Sequence, residues 1–253
     1  MPTDDAIARA AHSGACDHGD PAVRSDIAAI PDYLSDTYHW AYLSPVGRAI
    51  FDHPLVVHGI LWGNYSRLMR AALQEVAPGG RVLQTACVYG HFSVRLAERV
   101  GPDGQLDVID VAPIQVEHCR RKLARFPQAE VRVADASRLG DRGPYDTIVC
   151  FFLLHEVPDE YKTTIVDGIL ARLGPGGRAV FVDYHGPIRH HPLRPVMKVV
   201  FDLLEPFAER LWARDISSYA SRTAGFTLRK ETFFGGLYQK VVFDRTDQPA
   251  DPS

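Results

Sequence analysis

An aspartate ends an apolar run in the first half of this sequence. It is Asp110, the last residue of the run 105–110, and it lies 20 residues after Gly90. This spacing is typical of a carboxylate that accepts hydrogen bonds from the ribose hydroxyls of a bound nucleotide. The alternative is that Asp110 caps a helix beginning near Pro113, because aspartate is a favoured cap and proline a favoured early helical residue. We favour ribose binding because the surrounding order of elements agrees with it.

The elements that must position Asp110 alternate between strands and helices. The predicted strands are 81–87, 105–110, 130–134, 145–153 and 178–183, the helices are 94–100, 114–124 and 161–173, and a glycine-rich turn is expected at 174–177. Five strand–helix units predict an α/β fold with a doubly wound parallel sheet and right-handed crossovers. Two further strand-like runs, 226–232 and 237–243, predict an antiparallel hairpin at the C-terminal end of the sheet.

A second acid, Asp135, follows the third predicted strand. At the carboxyl edge of the sheet its side chain could accept a hydrogen bond from an adenine amino group. Capping of a helix or solvation of the loop is the alternative, and the sequence leaves both open.

Length and composition bound the number of domains. The chain has 253 residues, 46% of them hydrophobic, which suits one full α/β core and argues against two independent domains. We predict a disordered leader, 1–30, followed by a single domain, 31–253. Within that domain we expect N-terminal helices, 31–77, and a helical insertion before the hairpin, 187–214.

The charge, the cysteines and the hydropathy of the chain limit which partners and which cellular compartment we expect. The formal net charge of -3 offers no basic field for gathering nucleic acid. The 4 cysteines form no C-x-x-C pair, which argues against a zinc ribbon or a disulfide framework and favours a reducing cytoplasm. No apolar run approaches the ~20 residues needed to cross a bilayer, so any membrane contact is expected to be peripheral.

Five motifs resemble, in order, those of the class I S-adenosylmethionine-dependent methyltransferases, which have a Rossmann-like fold. They are RVLQTACVYG, LDVIDVAP, VRVADA, YDTIVCFFLLHEVPD and LGPGGRAVFVD, and the likeness covers about 78–243. Within that superfamily the chain resembles the rhodoquinone biosynthesis proteins of the RquA family, with which it shares TACVYG, LDVIDVAPIQVEHCRRKLA, FFLLHEVPD, VDYH, HPLRPVM and ETFFGGLYQK. The resemblance implies conversion of ubiquinone to rhodoquinone by replacement of a ring methoxy group with an amino group. It also implies S-adenosylmethionine as the amino donor and Mn2+ as the favoured metal.

The turn after the first strand departs from the usual superfamily pattern. Ordinary members carry an acid at the position of Gln84 and glycines at those of Ala86 and Val88. A neutral amide in place of the acid removes one charge-assisted bond to the ammonium group of the cofactor. We hypothesise that this frees the amino group for chemistry, while bulk from Val88 and Tyr89 shifts the methionine arm. The predicted cofactor-binding residues are Gln84, Ala86, Tyr89, Gly90, Asp110, Val111, Asp135, Ala136 and Phe152.

Side chains that transfer protons follow the fourth and fifth strands. An amine must lose a proton to attack an electron-poor quinone carbon, and the departing methoxide must be stabilised. His155, Asp183 and His185 are predicted to be catalytic, and the same three are predicted manganese ligands because oxygen and imidazole ligands suit that metal. The alternative is that His155 and its neighbour Glu156 only shape the edge of the cofactor pocket, and the sequence does not decide between the two.

Aromatic residues precede the sheet. Tyr38 and Tyr42 are four apart, so they share one face if the segment is helical. Tyr42 is a candidate catalytic residue in a lid over the methionine arm or the quinone head. Packing of both tyrosines on the sheet edge is the alternative, which we favour. The segment 62–65 could line the same pocket, although core packing explains it more economically.

The insertion 187–214 mixes basic and apolar residues in the manner of an amphipathic surface segment. It predicts peripheral contact with anionic lipid at the inner, cytoplasmic face of a bacterial membrane, from which a ubiquinone head would enter the site. A lid helix over the pocket or a dimer contact is the alternative. The basic residues singled out beside its apolar positions are Arg189, His190, His191, Arg194 and Lys198.

Three other functions compete with rhodoquinone formation. A conventional quinone O- or C-methyltransferase would use the same fold to transfer the methyl group. The absence of glycines at Ala86 and Val88 in the turn after the first strand suggests a second alternative, a cofactor-binding module without catalytic turnover. An acid after the second strand also suits NAD, but the missing glycines argue against a pyrophosphate on this turn.

Overall fold

The computed structural model describes residues 59, 61–88, 90–204 and 207–246. The predicted leader 1–30, most of the predicted N-terminal helices and the candidates Tyr38, Tyr42 and Tyr89 lie outside the described residues. The helices and strands, numbered here in chain order, are α1 Tyr65–Leu73, β1 Arg81–Gln84, α2 Phe92–Val100, β2 Gln105–Asp110, α3 Pro113–Leu123, β3 Ala129–Val133, β4 Tyr145–Phe151, α4 Asp159–Ala171, β5 Leu173–Tyr184, α5 Arg194–Leu204, α6 Arg210–Ala213, β6 Phe226–Phe233 and β7 Tyr238–Arg245. Short 3₁₀ helices lie at Leu154–Glu156 and Ile216–Tyr219.

One seven-stranded sheet organises the described chain, in the order β3-β2-β1-β4-β5-β7-β6. The first five strands are parallel to their neighbours, and β7 pairs antiparallel with both β5 and β6. This arrangement confirms the predicted α/β class, the doubly wound sheet and the C-terminal hairpin. The strand order reverses between β1 and β4, so the carboxyl ends of β1, β2 and β4 border the crevice where ligands of such sheets bind.

Several predicted boundaries were wrong for identifiable reasons. The strand predicted to reach Cys87 ends at Gln84, because the Cys87 amide donates to a side chain of β2 instead of to the ladder. The strand predicted to reach Leu153 ends at Phe151, where Phe152 follows with a positive φ of 51°. The turn predicted at 174–177 lies within the bounds of β5, because Tyr145 pairs with Leu173 while the next ladder pair is formed by Arg178, leaving the residues between them as an irregularity.

The sheet is covered on both faces. One hydrophobic cluster includes Leu68, Phe92, Val116 and Val180, and the other includes Ile148, Ile165 and Phe243. Burial on both faces explains why the parallel strands read as continuous apolar runs. The described cysteines are unpaired and buried. Among the described residues, no helix is long and apolar enough to cross a membrane.

The end of α1 is tied to the C-terminal strands by a charged network centred on Glu75. Its carboxylate accepts hydrogen bonds from Arg178, Arg229 and Lys240, at 2.9, 2.9 and 2.8 Å. Burial by itself would raise the pKa of Glu75, but the bonds from Arg229 and Lys240 hold that pKa at about 2. Because the network joins α1 to β5, β6 and β7, it fixes the helix that precedes β1 against the sheet.

Candidate functional site

The turn after β1 is organised by a buried amide. Gln84 is fully buried, and its Nε2 donates to the carbonyl oxygen of Ala86 at 2.6 Å. Its Oε1 is also buried and has no hydrogen-bond partner within the described part of the chain. A buried acceptor without a donor costs free energy, so this oxygen is suited to accept from a ligand that carries N–H or O–H groups.

Asp110 links the end of β2 to this turn. Its Oδ2 accepts from the Cys87 amide and its Oδ1 from the Ala112 amide, each at 2.8 Å. Ala112 is the N-cap of α3, and its own side chain makes no cap bond; Asp110 accepts from the amide of this N-cap residue and so supports the approach to the helix. Enclosure of the carboxyl by protein raises the pKa of Asp110 to about 6, although its two backbone bonds act in the opposite direction. Each carboxylate oxygen keeps a second lone pair, which matches what a vicinal diol requires.

Gly90 is held by two residues that the sequence did not single out for this purpose. Its φ is +80°, and a Cβ added there would lie 2.8 Å from Tyr65 Oη, so glycine is required by both conformation and space. Tyr65 Oη accepts from the amide of His91 at 3.0 Å, and Lys122 Nζ donates to the Gly90 carbonyl at 2.8 Å. Tyr65 therefore shapes the turn rather than merely filling core, while Trp62 is 38% exposed.

Asp135 and the residues near it have local roles in the structure. Asp135 Oδ1 accepts from the Ser137 amide at 2.7 Å, and its carbonyl accepts from the Arg138 amide at 2.9 Å. These bonds form a turn after β3. Val111 is half-buried after β2, and Ala136 is buried. Contact of these three residues with an adenine stays a prediction.

A histidine–aspartate pair lies at the carboxyl ends of β4 and β5. His155 Nδ1 lies 2.9 Å from Asp183 Oδ1, and the His155 amide donates to Asp183 Oδ2 at 3.2 Å. The Tyr184 amide also donates to Asp183 Oδ1, at 2.8 Å. The Asp183 carboxylate accepts hydrogen bonds from two backbone amides and acts as the acceptor for the imidazole ring of His155 too. The proton of neutral His155 is therefore on Nδ1. The unprotonated Nε2 then lies 3.7 Å from Glu156 Oε1.

His185 does not join this pair. Its Nδ1 lies 2.7 Å from the Gly236 carbonyl, and its Nε2 lies 2.9 Å from Lys230 Nζ and 3.2 Å from Asp215 Oδ1. The prediction that His155, Asp183 and His185 converge on one metal was therefore wrong. In residues 59, 61–88, 90–204 and 207–246 no group of three or more His, Cys, Asp or Glu side chains could hold a metal ion. The donor set does not fit Mn2+, and no role is derived for it.

Aromatic rings continue from the histidine–aspartate pair along the edge of the sheet. Phe152 lies edge-on to His155, Tyr184 and Tyr238, with centroid distances of 5.8, 5.6 and 6.0 Å. Phe152 also contacts Phe151 at 5.0 Å, and Phe151 contacts Tyr65 at 6.4 Å. The rings thus run from the Gly90 turn to Tyr184 at the end of β5 and Tyr238 at the start of β7. Tyr238 was not predicted from the sequence.

Comparison with known proteins agrees with this geometry. The family described as "Methyltransferase domain" matches residues 82–177, which contain β1 to β4 and the turn at Gly90. The demethylmenaquinone methyltransferase of Lactococcus lactis is 24% identical over 180 residues, covering 64% of this chain and 69% of that protein. The protein-L-isoaspartate O-methyltransferase of Methanothrix thermoacetophila is 30% identical over 171 residues, covering 61% of this chain and 77% of that protein.

A solved structure shares the fold. The O-methyltransferase family protein of Burkholderia thailandensis superposes with a TM-score of 0.65 at 14% identity, covering 85% of this chain and 65% of that one. The turn at Gln84 and Gly90 and the carboxylate of Asp110 occupy the edge of the sheet where this fold binds its cofactor. The chain belongs to the class I S-adenosylmethionine-dependent methyltransferases.

Proposed function

We propose that this protein is an S-adenosylmethionine-dependent enzyme that modifies the ring of an isoprenoid quinone. The observation that carries the proposal is the continuity between two features of one sheet edge. The carboxylate of Asp110 is suited to a ribose, and the aromatic residues around Phe152 are suited to a planar ring. When bound, S-adenosylmethionine supplies the group that is transferred.

Methyl transfer to a ring carbon or a ring hydroxyl of the reduced quinone, the quinol, is the first candidate chemistry, because the quinol is the nucleophilic form and carries the proton that is removed. It is supported by family membership and by the Lactococcus lactis relative, whose name specifies demethylmenaquinone as its substrate. The protein needs to orient the ring and remove one proton from the acceptor.

Replacement of a ring methoxy group by the amino group of the donor, which yields rhodoquinone, is the second candidate. The ring C–N bond would form, the ring C–O bond would break with the methoxide leaving as methanol, and the Cα–N bond of the donor would break by elimination, which needs no oxidant. The specific observation in its favour is Gln84, a buried neutral amide where ordinary members carry an acid. An amide holds an ammonium group less strongly than a carboxylate does, which leaves the amino nitrogen less sequestered. Resemblance to the RquA family supports the same chemistry.

His155 is the proposed proton acceptor in either chemistry. Asp183 holds the Nδ1–H tautomer, so the Nε2 lone pair accepts the proton, as expected of a general base oriented by a carboxylate. His155 is 5% exposed, and burial beside aromatic rings keeps bulk water from competing for that nitrogen. Asp183 acts through His155 and is therefore a positioning residue.

We expect the mass of the product to separate the two chemistries. Purified protein is incubated with a short-tailed ubiquinone or demethylmenaquinone, each in its oxidised and its chemically reduced form, and with S-adenosylmethionine labelled at the amino nitrogen, with and without Mn2+. Amino exchange lowers the mass of the quinone and carries the label into it, whereas methyl transfer raises the mass and leaves the label in the spent donor. Absence of any quinone product under all conditions would contradict both candidates.

The turn offers a variant that tests the second candidate. Gln84→Asp combined with Ala86→Gly and Val88→Gly restores the ordinary pattern, and we expect it to suppress labelled product at least severalfold while cofactor binding is retained, because a carboxylate binds an ammonium more strongly. The control is Gln74→Asp, at an exposed position after α1. Unchanged yield of labelled product from the triple variant would remove the proposed role of the turn.

We further propose that the insertion rests on an anionic lipid surface. Helix α5 buries Met197 and Phe201 on one face and exposes Val196 and Val199 on another, at 43% and 56%. Ile188, just before the helix, is 63% exposed. Arg189 and His190 are exposed beside it, whereas His191, predicted to lie among the basic heads, is buried against Phe234 at 5.1 Å.

Acidic substitutions on this face should weaken docking. We expect Val196→Asp with Val199→Asp to lower partitioning onto vesicles of anionic phospholipid by about 10-fold, because apolar area is lost and negative charge is added. Leu228→Asp, at a 48% exposed position on β6, is the matched control and should leave partitioning unchanged. Equal partitioning of all three proteins, measured by vesicle sedimentation, would rule out docking through α5.

A further inference from the structure

A buried tyrosine hydroxyl lies among the aromatic rings without a hydrogen-bond partner. Tyr238 is fully buried, and its Oη has no partner among the residues that the structure describes. Burial raises the pKa of Tyr238, so the group stays a neutral O–H donor. Because leaving such a group unsatisfied costs free energy, an unpaired phenol in a folded core calls for a specific reason.

The surroundings of Tyr238 are aromatic on several sides. Its ring stacks on Tyr184 at 5.6 Å with an interplanar angle of 29°, and Phe152 lies at 6.0 Å. Tyr184 contacts Phe201 at 5.0 Å, which in turn contacts Trp212 at 5.1 Å. These five rings, from β5, β7, α5, α6 and the residue that follows β4, form one continuous aromatic cluster at the edge of the sheet.

The aromatic cluster contains a second unused donor. Trp212 Nε1 is buried and, in the described ranges, makes no hydrogen bond. The indole N–H can only donate and the neutral phenol O–H can donate, so an acceptor would satisfy either atom. Phe201 and Trp212 belong to the insertion, whereas Tyr184 and Tyr238 belong to strands of the sheet.

We propose that the aromatic cluster is the subsite for the quinone ring, with Tyr238 Oη and Trp212 Nε1 donating hydrogen bonds to ring oxygens. The inference rests on the proposed function, which it deepens by naming residues that recognise the substrate. A quinone matches the cluster because it is planar, lacks strong donors and carries oxygen acceptors at its rim. The His155 ring, 5.0 Å from that of Tyr184, then borders the same subsite.

Removal of the Tyr238 hydroxyl should weaken quinone binding without lowering the melting temperature of the protein. We expect Tyr238→Phe to raise the dissociation constant of a tail-free ubiquinone head group by about 5- to 10-fold, measured by calorimetry, because one hydrogen bond is lost. The same variant should melt no lower than the wild type without ligand, because it removes an unsatisfied polar group. Affinity for S-adenosylmethionine should not change. Trp212→Phe should weaken quinone binding in the same direction.

Tyr145→Phe is the matched control. Tyr145 is also a fully buried strand tyrosine, but its hydroxyl donates to Asp107 at 2.7 Å. We expect this control to lower the melting temperature and leave quinone affinity unchanged. Unchanged quinone affinity in Tyr238→Phe, or a drop in its melting temperature like that of Tyr145→Phe, would overturn the subsite while leaving the proposed function standing. Failure of the wild type to bind the quinone would instead reject the proposed function together with the subsite.

Discussion

Asp110→Asn is expected to raise the dissociation constant of S-adenosylmethionine by about 100-fold. The carboxylate accepts the Cys87 and Ala112 amides and keeps lone pairs for two ribose hydroxyls. The side chain of asparagine has only one oxygen, so its NH2 group would face another donor, either a backbone N–H or a ribose hydroxyl, and that hydrogen bond would be lost. Loss of charge weakens the remaining bonds further. Isothermal titration with S-adenosylmethionine measures the effect directly.

The pH dependence of the same group provides a second readout. Because the pKa of Asp110 is about 6 in the folded protein and 3.8 in an unfolded chain, the cofactor-free protein gains stability from this group as the pH falls from about 6 to about 4. Ribose hydroxyls need the ionised carboxylate as acceptor, so cofactor affinity should fall by about 10-fold per pH unit below pH 6. In Asp110→Asn this dependence should disappear.

Asp103→Asn is the control for both measurements, since Asp103 is exposed in the turn between α2 and β2. We expect it to bind the cofactor as the wild type does, with the same pH dependence. Wild-type affinity in Asp110→Asn would show that Asp110 only braces the turn at Cys87 and does not contact the cofactor.

Asp183→Asn is expected to lower kcat by about 100-fold or more, while the dissociation constant of S-adenosylmethionine changes little. An asparagine has one oxygen and can keep only one of the two backbone bonds; when that oxygen accepts from the His155 amide, the NH2 group faces the His155 ring. Nδ1 then becomes the acceptor and Nε2 carries the proton, which leaves no lone pair to take a proton from substrate. Steady-state kinetics on the product identified above measure the change.

A non-additivity test separates positioning from a general structural role. If Asp183 acts through His155, the double variant Asp183→Asn, His155→Gln should be no slower than His155→Gln alone. Asp215→Asn supplies the matched control, because Asp215 contacts a different histidine, His185, at 3.2 Å. We expect near wild-type kcat for that control. Equal losses in the two aspartate variants, or additive losses in the double variant, would contradict the assignment.

Much of the fold could be predicted from the sequence because its signals are local. Runs such as 105–110 and 145–151 are apolar since both faces of their strands are buried, and the glycine and proline residues between them mark the turns. The position of Asp110 followed from the same information, because a residue that ends a parallel strand lies at the ligand edge whatever its partners are.

The choice of partners at that edge could not be predicted in the same way. Asp183 and His185 were predicted to be ligands of one metal together with His155, yet β5 ends at Tyr184 and His185 contacts the Gly236 carbonyl and Asp215 instead. Asp183 instead meets His155, 28 residues earlier. Such contacts depend on the tertiary arrangement of strands and helices that are distant in sequence.

The sequence by itself determined the element order and the acid at the end of β2, because hydrophobic periodicity and turn residues are local signals, and its motifs carried the resemblance to the superfamily. Only the tertiary structure decided that Gln84 Oε1, Tyr238 Oη and Trp212 Nε1 are buried donors and acceptors without partners in the described residues. Hydrogen-bond satisfaction is a property of the packed interior, where each polar atom is paired or orphaned by neighbours from other elements.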